Sequence, residues 1–190
     1  MKKVLFVALA IALFSASSVM GQSYRPFKVG VGFLYAVPTG EGAGGGIGFY
    51  LEPKYNLNDK FDLGFLMEDA LLVQKLEGYS SDVSGVASYS LTGDYMLGSG
   101  KVRPFIGTGI GIYSLGSVSA TTVDDGMGGT VTLPGASLGT KFGFSPRVGI
   151  NLSHFQIELQ YHVITGQVDG ISKNYLGIKM GLEFGGGLKK

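Results

Sequence analysis

The stretch that most constrains this chain runs from Ser145 to Val163, SPRVGINLSHFQIELQYHV. Val148, Ile150 and Leu152 precede a turn at Ser153 and His154, and Phe155, Ile157, Leu159, Tyr161 and Val163 follow it, each separated by a polar residue or Gly. A period of two means β-strand with one apolar face on both sides of the turn. If Leu152 pairs with Phe155, the apolar residues of both strands share a face, and Arg147, Asn151, Gln156, Glu158, Gln160 and His162 share the other. A slip of one residue would destroy that agreement, so the pattern fixes the register. Ser-His is a poor two-residue hairpin turn, which predicts a loop a residue or two longer.

The rest of the chain repeats this two-faced ribbon. Phe27, Val29, Val31, Phe33 and Tyr35 oppose Lys28, Gly30, Gly32, Leu34 and Ala36. After a Gly-rich loop from Thr39 to Gly45, Ile47, Phe49, Leu51, Tyr55 and Leu57 oppose Gly48, Tyr50, Glu52, Lys54 and Asn56. The third strand sets Phe61, Leu63, Phe65, Met67 and Leu71 against Asp62, Gly64, Leu66 and Glu68, and a polar loop around Glu77 to Ser84 follows. In the fourth, Ala87, Tyr89, Leu91, Tyr95 and Leu97 oppose Ser88, Ser90, Thr92 and Asp94. The fifth alternates Ile106, Thr108, Ile110 and Ile112 with Gly107, Gly109, Gly111 and Tyr113. A Ser/Thr/Gly-rich segment from Ser119 to Leu138 either extends that hairpin or forms a long loop. The sixth and seventh strands are the hairpin described first, beginning near Lys141. After a polar loop from Gly166 to Lys173, the eighth sets Leu176, Ile178, Met180, Leu182 and Phe184 against Gly177, Lys179, Gly181 and Glu183.

Ahead of the strands lie Lys2 and Lys3, an apolar run from Val4 to Phe14, and small residues through to Gly21. Such a run is too short for a membrane-spanning helix of about 20 residues and reads as a secretory signal peptide. Residues 1–21 are therefore expected to be cleaved, with 22–190 forming one domain. Of 15 Lys and Arg, the signal takes two, leaving 13 against 14 Asp and Glu. A nearly neutral chain is a poor nucleic-acid binder, so no nucleic-acid partner is expected. With no Cys, stability rests on burial and hydrogen bonds.

The connections alternate between short and longer, as extracellular loops and periplasmic turns do in bacterial outer-membrane barrels. Alternation alone does not say which face meets solvent, because a soluble ligand-binding barrel of eight strands has the same period with its apolar face inward. Three observations favour the membrane. The large residues occupy the apolar face and the Gly the polar one, which suits a narrow interior. Charged residues are only 15% of the chain, too few to cover a solvated exterior. Aromatics also recur near strand ends, at Phe27, Tyr35, Tyr55, Phe61, Phe105, Phe155, Tyr161 and Phe184, as in interfacial girdles.

On this reading the fold is all-β, an eight-stranded antiparallel up-and-down transmembrane barrel. Its lumen holds Lys28, Lys54, Lys141, Arg147 and Lys179 with Glu52, Asp62, Glu68, Asp94, Glu158 and Glu183, joined by His162. Both signs confined in a low-dielectric tube should pair, because an isolated charge there is costly. Arg147 and Glu158, diagonal across the hairpin, are expected to do so. A plugged lumen follows, since an open aqueous pore needs about 16 strands.

The pattern resembles the small outer-membrane β-barrels of Gram-negative bacteria, the porin-like group that includes outer membrane proteins A, X and W. The resemblance covers nearly all of residues 22–190. It is carried most specifically by the fifth strand opening Arg103, Pro104, Phe105 and by the final strand YLGIKMGLEF. It implies residence in the outer membrane, contact with its lipid, and insertion by the outer-membrane assembly machinery. Two departures stand out: Gly185 to Lys190 follow the last aromatic, Phe184, and Pro53 and Pro146 fall inside strands, where a bulge or membrane-edge position is expected.

The chemistry-bearing residues are few. Ser145, His162 and Glu158 could in principle make a nucleophilic site, and some small barrels modify lipids. The bland alternative, His162 as part of the interior polar network, is favoured. Asp124, Asp125 and Gly126 lack a spaced ligand set and read as a turn, so no metal or cofactor is expected. Gly107, Gly109 and Gly111 lie within a strand and either admit side chains from across the barrel or leave a small cavity. The expected role is structural or interactive and non-enzymatic, with an extracellular ligand at residues 119–138. A narrow channel for small hydrophobic solutes is the alternative, and a lipid-modifying enzyme the minor one.

Overall fold

The computed structural model describes residues 24–39, 43–74, 82–118, 121–124, 130–133, 136–166 and 174–186. The signal segment at 1–21 and most of the four longer loops lie outside the described residues. Eight strands close a barrel: β1 (Phe27–Pro38), β2 (Ala43–Asn56), β3 (Phe61–Gln74), β4 (Asp82–Met96), β5 (Val102–Val118), β8 (Ala136–Leu152), β9 (Phe155–Ile164) and β10 (Tyr175–Gly185). Every neighbouring pair is antiparallel, and β1 meets β10 to complete the ring. Closure leaves no unpaired edge, which a sheet surrounded by hydrocarbon requires.

The structure places the bulky apolar residues of the alternation outside. Phe33, Ile47, Phe49, Leu91 and Met180 are among the exposed ones, Phe33 at 77% of its surface. Lys28, Glu52, Lys54, Asp62, Asp94, Arg147, Glu158 and Lys179 are buried, each at 4% or less. A water-soluble protein would invert this arrangement; here the hydrocarbon is the solvent.

At a rise of about 3.3 Å per residue and a tilt of about 40°, the ten residues of β9 climb about 25 Å, the height of the apolar band. β5 and β8 each have 17 residues and so stand about 18 Å higher. Their pairing continues to Val118 and Ala136. Beyond it β6 (Thr121–Asp124) and β7 (Thr130–Leu133) form a separate two-stranded ribbon. The 119–138 segment thus extends the hairpin, and the long strand begins at Ala136 and not near Lys141. β4 likewise starts at Asp82, inside the stretch read as loop.

Two local expectations need correction. The Ser153–His154 loop is no longer than two residues, since Leu152 pairs directly with Phe155. Ser153 takes φ of 62°, a costly conformation for a non-Gly residue. Neighbouring strands hold it: Ser153 N–H donates to Lys101 O at 2.7 Å, and His154 O accepts from Glu183 N–H at 2.7 Å. Neither Pro53 nor Pro146 produces a bulge, although Pro53, three residues from the end of β2, does lie near the membrane edge that was the other expectation. Pro53 pairs with Val29 in register, but no partner on β3 is recorded for it, and pairing resumes unshifted at Lys54 with Gly64. Pro146 keeps Thr108 on one side and lacks a pair on β9 on the other. A strand residue directs its N–H to one neighbour only, so each proline gives up one bond and the register survives.

Candidate functional site

The lumen is filled in three tiers, two polar and one apolar. In the lowest, Lys28 lies 2.5 Å from Asp62 and 3.4 Å from Glu183. Lys54 reaches Glu52 at 3.1 Å, Glu183 at 3.2 Å and Asp94 at 3.5 Å. Arg147 grips Asp94 with two parallel bonds, Nε to Oδ1 at 2.7 Å and Nη2 to Oδ2 at 2.6 Å. Its Nη1 stands 2.8 Å from Glu52 Oε1, which also accepts the Thr92 hydroxyl at 2.7 Å. Such planar, bidentate contacts are the strong class of charge-assisted hydrogen bond. The diagonal pair of Arg147 with Glu158 exists at 3.7 Å but is the longest of that guanidinium's contacts.

Higher in the barrel, Lys179 joins Glu68 at 2.6 Å and Glu158 at 3.6 Å, and also donates to Gln160. Glu68 accepts the Tyr175 hydroxyl at 2.7 Å and faces His162 Nε2 at 3.4 Å. His162 stacks on Tyr175, its register partner, with centroids 4.1 Å apart, while Nδ1 meets the Tyr113 hydroxyl at 3.0 Å. Ser145 Oγ accepts from the Gln160 amide at 2.6 Å. Above these lies an apolar tier: Leu34, Ala36, Ala70, Val86, Leu115 and Ile164 pack with Tyr113 and Tyr175.

The inward glycines explain how charges on non-adjacent strands meet. Gly107 pairs with Asp94 on one side and Arg147 on the other, so it lies between them in one row. A Cβ at Gly107 would collide with Asp94 Oδ1. Gly64 sits likewise between Lys54 and Thr92, under the bond from Thr92 to Glu52. At Gly109 the side chain of Ser145, and at Gly111 that of Ser90, would meet an added Cβ. The glycine run admits side chains, but those closest to it come from the adjacent strands β4 and β8 and not from across the barrel.

At the periplasmic mouth a cavity of about 300 Å³ is lined by Tyr24, Lys101, Arg103, Asn151 and His154, and reaches Lys28 and Glu183. Arg103 stacks its guanidinium on Tyr24 at 4.1 Å and donates to Asp59 O at 2.7 Å.

Eleven of the twelve residues assigned to the lumen from sequence converge here. The exception is Lys141, half-buried at the extracellular rim beside Gly166 and without an ion pair to a described residue. It faces inward, but β8 outlasts the charged tier, so alternation put it on the right face at the wrong height. Phe105, read as a girdle aromatic, is fully buried in the lumen, with Lys54 Nζ 5.7 Å from its ring. It shares the parity of Gly107, which was the signal for its true face. Arg103, Tyr113 and Tyr175 were absent from the sequence-derived network. Asp69 was also passed over: it falls at an outward position, paired with Phe49 and Ala87.

No protein-family model matches the sequence, and no curated protein sequence does either. Solved structures do share the fold. Neisserial surface protein A, from Neisseria, superposes with a TM-score of 0.55 at 16% identity, covering 86% of this chain and 99% of that one. The outer membrane protein OprG from Pseudomonas aeruginosa gives 0.51 at 14% identity, covering 87% and 98%. The chain has the fold of the small bacterial outer-membrane β-barrels.

Proposed function

We propose that this outer-membrane barrel is a closed, non-enzymatic membrane anchor that acts through its extracellular side. The observation that carries the reading is the ion-pair network spanning the lumen beneath an apolar tier. Arg147 on β8 links carboxylates on β2 and β4 as well as on its neighbour β9, so it ties β8 to two walls that the backbone ladder does not join to it. An ion entering from the mouth would have to break several buried pairs, each held in a low-dielectric environment. The height of β5 and β8 favours the extracellular hairpin as the contact surface, with the extracellular ligand expected there.

The alternative of a narrow channel for small hydrophobic solutes needs space along the glycine row, and neighbouring side chains occupying that space weigh against it. For the lipid-modifying alternative, Ser145 and His162 would have to work on each other. Ser145 Oγ is instead engaged with Gln160, and His162 Nδ1 with Tyr113.

Planar-bilayer recording of the full chain tests the reading. Insertion without stepwise ion current is expected. A sustained current that survives deletion of residues 119–135 would replace the anchor with a transporter.

A further inference from the structure

Asp69 is the one charged residue whose described side chain faces outward along the eight barrel strands. At eight residues above Phe61 it lies about 20 Å up the barrel, about 5 Å inside the upper limit of the apolar band. A carboxylate at that depth is costly in hydrocarbon and marks a site by default. No ion pair or side-chain hydrogen bond reaches it from any described residue. It lines a concavity of about 710 Å³ in the outer wall, otherwise formed by Phe33, Tyr35, Ile47, Phe49, Leu71, Ile178 and Met180 around the Leu34–Gly48 backbone. That volume takes one small ligand laid against apolar walls, open to the surrounding lipid on its outer side, with a carboxylate at one place.

We propose that this concavity is a lipid-phase binding site for a single-chain amphiphile bearing a protonated amine, with Asp69 as its counter-ion. The hydrocarbon interior offers the carboxylate no donor, and the lining offers the Tyr35 hydroxyl but no cation, so the complementary charge comes with the ligand. The apolar walls take the chain. A headgroup amine of a two-chain lipid sits at the interface, above Asp69, whereas a single-chain amine can sink to it. The site rests on the membrane orientation of the barrel and is independent of whether the lumen is plugged.

The test uses the full-length mature barrel, with labelled methyl groups, in phosphatidylcholine nanodiscs titrated with dodecylamine. Broadening of the outward Ile, Leu and Met methyls by a spin label on the lipid tails, before titration, establishes the membrane orientation separately from the site. Saturable shifts at the Ile47, Leu71, Ile178 and Met180 methyls are expected, with none at Ile110 or Val148 on β5 and β8 across the barrel. Asp69→Asn should weaken dodecylamine at least tenfold and leave dodecanol unchanged, and Ile178→Trp should weaken both by filling the space. Shifts spread around the whole barrel, or an affinity within twofold of wild type in Asp69→Asn, would overturn the site. Equal Asp69-dependent shifts on adding phosphatidylethanolamine would overturn the single-chain assignment.

Discussion

Asp94 on β4 and Arg147 on β8 are separated by the whole of β5, yet they share two hydrogen bonds because the residue between them, Gly107, has no side chain. The lumen is therefore braced across strands that make no backbone contact with each other.

Removing one member of that brace should cost more than removing both. Arg147→Met leaves Asp94 and Glu52 buried without their guanidinium, and a loss of about 3–5 kcal/mol is expected. Adding Asp94→Asn should recover part of it. Urea unfolding from lipid vesicles, arranged as a double-mutant cycle, measures the coupling.

Gly107→Val keeps every charge and fills the gap. The new side chain must displace Asp94, so a loss of about 1–3 kcal/mol from overpacking is expected. It should be non-additive with Arg147→Met, since both act on the same pair. Gly93→Ala is the control, because an added Cβ there meets only ordinary contacts. The same unfolding assay should find it within about 0.5 kcal/mol of wild type.

The outward face should resist charge according to depth. Leu91, five residues from the periplasmic end of β4, lies near mid-band, and Leu91→Arg is expected to cost about 2–4 kcal/mol. Leu97, just past the end of β4, should tolerate Arg at about 0–1 kcal/mol. Equal tolerance at both positions would point to water outside the barrel.

His162 is expected to serve structure. His162→Phe keeps a ring against Tyr175 but strips the Tyr113 hydroxyl of its partner, at a cost of about 1–3 kcal/mol. Mass spectrometry of membranes carrying the wild type, Ser145→Ala or His162→Ala should show the same lipids. A lipid change that disappears in both variants would restore the enzymatic alternative.

Much of this architecture was legible because a period of two has only one consequence for side-chain direction. The register of β8 with β9 followed from Leu152 and Phe155, and the inward set followed from parity. Height was harder to read. Lys141 and Phe105 were misplaced along the barrel axis or between faces because strand length and shear come from pairing, which alternation does not encode. Asp69 escaped for a different reason. A carboxylate at an apolar position looks like an interruption of the pattern even with Leu71 read onto the same face beyond it, and the pairing of Phe49 with Asp69 and Ile47 with Leu71 shows the two to be neighbours on one outward row. The closer partners of Arg147, Glu52 and Asp94, were equally hidden, since β2 and β4 meet it only when the barrel closes.

The central claim is that hydrocarbon surrounds the apolar face and that the charged face looks inward at itself. The chain has no Cys, so single cysteines can be introduced one at a time along β9, from Phe155→Cys to Val163→Cys, and spin-labelled in a bilayer. Collision with dissolved oxygen is expected to peak at 157, 159 and 161 and to fall at 156, 158 and 160, with nickel chelate excluded from both sets. Oxygen maxima at 156, 158 and 160, or free access of the chelate to 157 and 159, would contradict it.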